Sequence, residues 1–230
     1  ALLQAWQAPA TVTAVTIDAA QNRVAYSDNT TVSEVKTSGS TVAWTQHDRS
    51  LPFPILALHE NWPQFPPTEN TTWGQPFFFW PAPAPRWDYT NAAAEMIVNT
   101  SGFYPALDQE RLQVTGLPAG NYQLKINGQI VGAFNATALG AGINLAEYRT
   151  PMLEQSYDVL RLVWKEVAWR FFAWRDIQLR LQDDKDSKVQ RATEGLVAAL
   201  EAQKNRDAEQ QYAAAQPRVT QYELIPLSQP

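Results

Sequence analysis

The sequence contains no cysteine, which excludes disulfides, thiolate metal sites and cysteine nucleophiles together. Histidine is nearly as scarce, with His47 and His59 the two present. A serine-hydrolase triad needs a His base and an acid or carbonyl to orient it. His47 is followed by Asp48 at what reads as a strand end, and neighbours on a strand point to opposite faces, so the two do not form a relay. His59 stands beside Glu60 among prolines and aromatics. Two lone histidines without cysteine do not make a zinc site, and Asp183, Asp184 and Asp186 lack the glycine and closing Glu of a calcium loop. Neither G-x-G-x-x-G nor a phosphate loop occurs, which leaves nucleotide cofactors no foothold. The sequence therefore predicts no catalytic residue, no cofactor and no metal.

Charge is also sparse: 18% of residues are charged, and the net charge is -5. Nucleic-acid binders gain affinity from clustered Lys and Arg, and no such stripe is present. The arginines from Arg161 to Arg180 are interleaved with Glu166 and Asp176 and read as one face of an amphipathic helix. No apolar run approaches the ~20 residues that span a bilayer. The opening Ala1–Trp6 carries no Met and reads as the end of an amphipathic helix, which predicts a segment upstream.

Aromatic residues, by contrast, are abundant, with nine Trp, nine Phe and eight Tyr. From Thr11, the runs TVTAVTID, RVAYSD, TVSEVK and TVAWTQ alternate β-branched or aromatic with polar residues and read as antiparallel strands of one small sheet with a wet face. Residues 51–87 are rich in proline, which is excluded from helix interiors and central strands. The insertion at about 56–90 carries Trp62, Trp73, Phe77, Phe78, Phe79, Trp80 and Trp87, a candidate partner surface because so many rings do not stay solvated without cover. Within it, 76–81 sets four consecutive aromatics between two prolines and is a candidate for contact with a membrane surface.

Ala93–Val98 is expected to be a strand, and Arg111–Thr115 alternates clearly. Asn121–Val131 then reads as a hairpin, with Asn127–Gly128 as a type I′ turn and Tyr122, Leu124 and Ile126 on one face. After Thr150, an N-cap followed by Pro151 at the first helical position, the period changes to that of a helix. Leu160, Val163, Val167, Phe171, Trp174 and Leu181 form one stripe, while Leu162, Trp169, Phe172 and Leu179 form a second. A helix apolar on two sides needs cover on two sides, which adds Trp169 and Phe172 to the candidate partner surface. Ser187–Gln190 fits a capping box opening a more polar helix that runs to about Tyr212, and Val219–Ile225 reads as a strand returning to a sheet. Sequons occur at Asn29, Asn70, Asn99 and Asn135, which are glycan acceptors only in a eukaryotic secretory host.

The expected architecture is α+β, with a small antiparallel sheet or sandwich followed by a long amphipathic helix and a returning strand. Two regions are expected: 1–149, β-rich with the aromatic insertion, and 150–230, helical with the final strand.

The stretch from Leu112-Gln-Val-Thr-Gly-Leu-Pro-Ala-Gly-Asn-Tyr-Gln-Leu-Lys-Ile-Asn to Gly128, continuing through Ala141-Gly-Ile-Asn-Leu-Ala146 to Thr150-Pro-Met152, resembles the region after the catalytic domain of secreted bacterial SGNH (GDSL-like) hydrolases. ALLQAWQAPATVTAVTID resembles the helix and strand that follow that family's Asp-x-x-His block, and Ser50–Pro54 and Gln216–Pro226 also look like family features. The resemblance implies a secreted or periplasmic protein whose catalytic blocks lie outside this sequence, so no catalytic residue is carried over. It implies an accessory or assembly module that packs against a protein partner, either a catalytic domain or a larger complex. The alternative is the C-terminal portion of a secreted SGNH-type esterase whose catalytic half is missing or a separate chain. A carbohydrate-binding module, with Trp62, Trp73, Trp80 and Trp87 stacking on sugar rings, is the second alternative.

Overall fold

A computed structural model describes residues 9–55 and 91–227. The chain divides into two compact units, one of Ala1–Pro54, Glu95–Tyr157 and Ala215–Pro230, the other of Ile55–Ala94 and Asp158–Ala214. The fold is α+β, as the alternation and the later change of period predict.

The first unit carries nine strands. They are β1 (Thr11–Asp18), β2 (Arg23–Asp28), β3 (Thr30–Ser38), β4 (Thr41–Asp48), β5 (Gln109–Thr115), β6 (Asn121–Ile126), β7 (Gln129–Asn135), β8 (Ile143–Asn144) and β9 (Val219–Pro226). They form a four-stranded sheet in the order β2-β1-β5-β8 and a five-stranded sheet in the order β3-β4-β9-β6-β7. The two sheets enclose one apolar core.

Residues 11–46 are not one sheet. β1 and β2 belong to the first sheet and β3 and β4 to the second, and β1 lies parallel to β5. The crossing is made by Asn29 alone, in the left-handed region at φ 54°, a conformation that Asn tolerates better than most residues. Its Nδ2 donates to the Val12 carbonyl and to Ser50 Oγ, which ties the crossing to the first strand. Alternation fixes which residues face inward but not which sheet receives each strand.

The hairpin at Asn127–Gly128 forms as the dipeptide predicts, with φ of 51° and 78°, the positive pair that a type I′ turn requires. Tyr122, Leu124 and Ile126 are all buried on one face. The expected strand at Ala93–Val98 is instead part of helix α1 (Asn91–Ser101). Three consecutive alanines favour helix strongly, and Thr100 and Ser101 hydroxyls bond back to the carbonyls of Met96 and Val98. A short helix, α2 (Phe103–Leu107), leads into β5, and α3 (Ala136–Ala141) follows β7 with Asn135 Oδ1 accepting from the Ala138 amide.

Helix α4 (Pro151–Phe171) starts as its sequence predicts, with Thr150 Oγ1 accepting from the Leu153 amide at 3.1 Å. The long helix is not uniform, however: Phe172–Gln178 is π-helical before a last α turn, α5 (Leu179–Leu181). Turns closed by i→i+5 bonds hold more residues than α turns, so an apolar stripe read at α spacing loses its face there. Across this stretch Ala173 and Ile177 are the buried residues, while Trp174, Leu179 and Leu181 are exposed. Trp169 of the second stripe is also 36% exposed, and Phe172 is half-buried.

The helix α6 (Ser187–Ala214) begins one residue earlier than a capping box on Ser187 implies. Asp186 is the cap, its Oδ1 accepting from the Lys188 amide. Within the second unit, α6 meets α4 through a polar seam. Asp207, with no exposed surface, accepts from Lys165 Nζ and Gln203 Nε2, each at 2.9 Å. Gln211 donates to the Leu162 carbonyl and to Glu166. Lys165→Met leaves a buried carboxylate without its cation and is expected to destabilise the helical unit by about 3 kcal/mol. Urea unfolding followed by far-UV circular dichroism measures this, and the double variant with Asp207→Leu should recover most of the loss.

Candidate functional site: a buried carboxylate cluster beside a cleft

The interior of the sandwich is graded along its strands. At one end, Val42, Leu124 and Leu224 lie in register across the central strands, followed by Trp44, Tyr222 and Ile126. The Trp44 and Tyr222 rings stack at 4.9 Å with an interplanar angle of 14°. In the facing sheet, Ile17 pairs with Val114 and Val15 with Leu112. One step further the residues turn polar, with Thr13 opposite Glu110 in one sheet and Gln46 opposite Thr220 in the other. Asp48 ends β4, and Asp108 precedes β5. All of these polar residues are buried.

A chain of bonds holds part of this polar end. Trp44 Nε1 donates to Gln46 Oε1 at 3.3 Å, and Gln46 Nε2 donates to Asp48 Oδ1 at 2.7 Å. Asp108 Oδ1 accepts from the Phe53 amide at 3.0 Å. Asn144 clamps the start of β5, donating to the Asp108 carbonyl at 3.0 Å while its Oδ1 accepts from the Glu110 amide at 2.8 Å. Yet Asp48 Oδ2, Asp108 Oδ2 and both oxygens of Glu110 are buried with no hydrogen-bond partner among the described residues.

Burial without a counter-charge disfavours ionisation. Burial pushes Asp108 up to about 6, a rise only partly opposed by the Phe53 amide. Glu110 is held well above the usual carboxylate range by burial and then by the negative charges of Asp48 and Asp108. Asp48 is also raised by burial, against bonds from Gln46 and Thr30 and the nearby His47. Burial likewise raises the Tyr222 hydroxyl, reinforced by Glu110 and Asp48. Such a cluster can store and exchange protons.

Beside it, Pro9, Thr11, Val12, Asn29, Arg49, Leu107 and Asp108 line a cleft of about 520 Å³ together with the segment from Ser50 to Pro54. That segment is anchored at three points. Ser50 Oγ donates to the Val12 carbonyl, Phe53 bonds Asp108, and the buried Ser156 Oγ donates to the Pro52 carbonyl at 2.7 Å.

Sequence reasoning overlooked these acids, although strand parity carried the signal. Positions 42, 44, 46 and 48 share one face of β4, and 110, 112 and 114 share one face of β5. His47 is exposed on the opposite side from Asp48, its Nε2 3.2 Å from the Pro217 carbonyl oxygen. Trp62, Trp73, Phe77, Phe78, Phe79, Trp80, Trp87, Asn70 and His59 lie outside the described residues, as does the 76–81 candidate membrane surface. Trp169 and Phe172 lie in the helical unit. Of the described sequons, Asn29 uses its amide in the β2–β3 crossing, Asn99 is exposed on α1, and Asn135 caps α3. Among the described residues no group of three or more His, Cys, Asp or Glu side chains is arranged to hold a metal ion. No described helix is long and apolar enough to cross a membrane.

No protein-family model matches the sequence, and no curated protein matches it. Among solved structures, the chain is similar to a gut microbial diltiazem-metabolizing enzyme, with a TM-score of 0.63 and 20% identity. The likeness covers 98% of this chain and 52% of that enzyme. It is a likeness of fold, and the chain spans about half the length of its neighbour.

The raised carboxyls set the sign of the pH response. An unfolded Asp108 releases its proton near 3.8 and the folded one near 6, so the folded state holds more protons between those values and loses stability as pH rises through them. The two-unit difference corresponds to roughly 3 kcal/mol. Asp108→Asn is therefore expected to gain stability relative to the parent as pH rises from 4 to 7, with urea midpoints at pH 4, 5.5 and 7 as the measurement. A constant difference across that range would contradict the assignment.

Proposed function

We propose that this chain is a non-catalytic accessory or assembly module, secreted or periplasmic, that packs against a catalytic domain or a separate catalytic chain. The observation that carries this reading is the exposure of three large apolar side chains along one helix of the helical unit. Trp164, Val167 and Trp174 are exposed along α4 and the π-helical turn, Trp174 to 52%. Phe171 lies between them, its ring 5.6 Å from that of Trp174 at 89°. Contiguous apolar surface of this kind marks interaction sites, and Trp is among the residues that dominate interface energetics. The arginines flanking the seam are engaged on their own helix, Arg170 with Glu166 and Arg180 with Asp176. Within the seam the Arg175 guanidinium lies over the Phe171 ring, 5.6 Å from its centroid, so the surface offers apolar contact with one cation beside it.

A second reading is favoured by the fold comparison. Alignment of nearly the whole chain with 52% of an enzyme fits a chain that is one part of a longer enzyme, and the sequence resemblance makes that part the C-terminal portion of an SGNH-type esterase whose catalytic half is elsewhere. Both readings place the chemistry outside these residues and differ in whether the partner is covalently joined.

The purified chain is expected to leave a short-chain aryl ester unhydrolysed above the buffer rate. Turnover that disappears with His47→Ala would refute the non-catalytic reading. A photo-crosslinking residue at position 174 of the native protein is expected to capture a catalytic domain with a serine nucleophile. Capture on the same polypeptide supports the esterase reading, and capture on another chain supports the accessory subunit. Crosslinks confined to this chain's own residues would defeat the packing role.

A further inference from the structure

Residues Leu51–Pro54 form a strap that leaves β4 and passes the cleft. Its proline nitrogens carry no hydrogen, so Leu51 and Phe53 provide its only backbone donors. The Phe53 amide donates to Asp108 Oδ1 at 3.0 Å, and Ser156 secures the Pro52 carbonyl from α4. Behind this contact, four carboxyl oxygens on Asp48, Asp108 and Glu110 are buried without a hydrogen-bond partner among the described residues. A neutral acid tolerates such a place far better than a carboxylate.

We propose that Asp108 is a proton-operated latch: when neutral it keeps the Leu51–Pro54 strap seated on the sandwich, and when ionised it loosens the strap and lets water reach the three carboxyl groups. The groups that face the latch give the ionised form little support. The charges acting on Glu110 are both negative, those of Asp48 and Asp108. On β4, the one titratable group opposing the rise of Asp48 is His47. β9 contributes the Tyr222 hydroxyl, whose own ionisation is disfavoured. α4 contributes the neutral hydroxyl of Ser156, and Arg49 lines the neighbouring cleft. Among the described residues hydration is then the remaining relief for a charge on Asp108, and Asp108 and the strap line the same cleft, from which water would enter.

The direction follows from proton linkage. Opening to a hydrated state returns Asp108 from about 6 towards 3.8. The opening equilibrium therefore rises between those pH values by up to about 100-fold and levels off for this group above them.

The Phe53 amide reports the latch directly. Its hydrogen-exchange rate, corrected for intrinsic pH dependence and read by NMR on the complete protein, is expected to rise toward 100-fold between pH 4 and 7. The rise should be insensitive to low urea, whereas exchange of the Leu124 amide in the sandwich core should follow urea as global unfolding does. Asp108→Asn should flatten the profile between pH 4 and 6. Glu110→Gln should keep the rise there, and Ser156→Ala should speed exchange at every pH without changing its shape. The proposal fails if Phe53 exchange in the parent protein is independent of pH, or if it shares the urea slope of Leu124. It fails equally if Asp108→Asn retains the full rise.

Discussion

Strand β9 is the constraint on which the rest of the first unit depends. It lies between β4 and β6, antiparallel to both, so the β3–β4 and β6–β7 hairpins belong to one sheet only when residues 219–226 are in place. Tyr222 seals the junction, stacked on Trp44 in one direction and in register with Ile126 in the other. Closing a sheet with a strand from the far end of the sequence means paying loop entropy before the contacts repay it. The β1–β5 pair has the same character, since parallel strands need a long connection and residues 19–108 lie between them. The sandwich is thus held together by pairings remote in sequence, while the excursions 55–94 and 158–214 form the other unit. A long excursion costs little more than a short one once its ends are fixed.

That closure also creates the buried acids. β9 brings Thr220 and Tyr222 beside Gln46 and Trp44, and β5 brings Glu110 in register with Thr13. The polar end of the interior is assembled by the same remote pairings that assemble the apolar end. Its members are imperfectly satisfied, which sets it apart from a hydrogen-bonded network built for rigidity. Asn144 holds the segment from Asp108 to Glu110 through its backbone and leaves both side-chain carboxyls uncompensated. Position is fixed while charge is left unbalanced.

Much of the fold was legible in the sequence wherever a local rule decided it. The Asn127–Gly128 turn, the Thr150–Pro151 helix start and the inward face of β6 all follow from φ preferences, capping and parity, and all are present. What was not legible depended on partners. The four N-terminal strands divide between two sheets because Asn29 turns the chain from one layer to the other, and alternation is blind to that turn. The helix at Asn91–Ser101 was misread because Met96-Ile97-Val98 suits a strand, whereas the alanines before it set the local preference. The two stripes of the long helix were read at one period, and the π-helical turn changes that period within them. The acid cluster was half legible: parity places Asp48 and Glu110 inside, but no rule applied to one strand shows that a second acid meets it.

A search for nucleophiles, ligand spacings and phosphate loops passes over such a cluster because each acid is unremarkable in its own segment. Physically, however, these positions are costly ones for ionisable groups. Well-packed apolar residues of similar volume often match or exceed the stability of buried charged groups. A Gln at position 110 or an Asn at position 108 would remove the cost of ionisation while nearly keeping shape. Asp108 also keeps a bond that spans two segments, from the start of β5 to the strap at Phe53, and a backbone N–H donates to either a neutral or an ionised carboxyl. Ionisation strengthens this one bond but raises the cost of burying the carboxyl, and the burial cost is the larger of the two. A buried bond whose cost depends on protonation would let a local segment respond to protons without dismantling the sheet behind it.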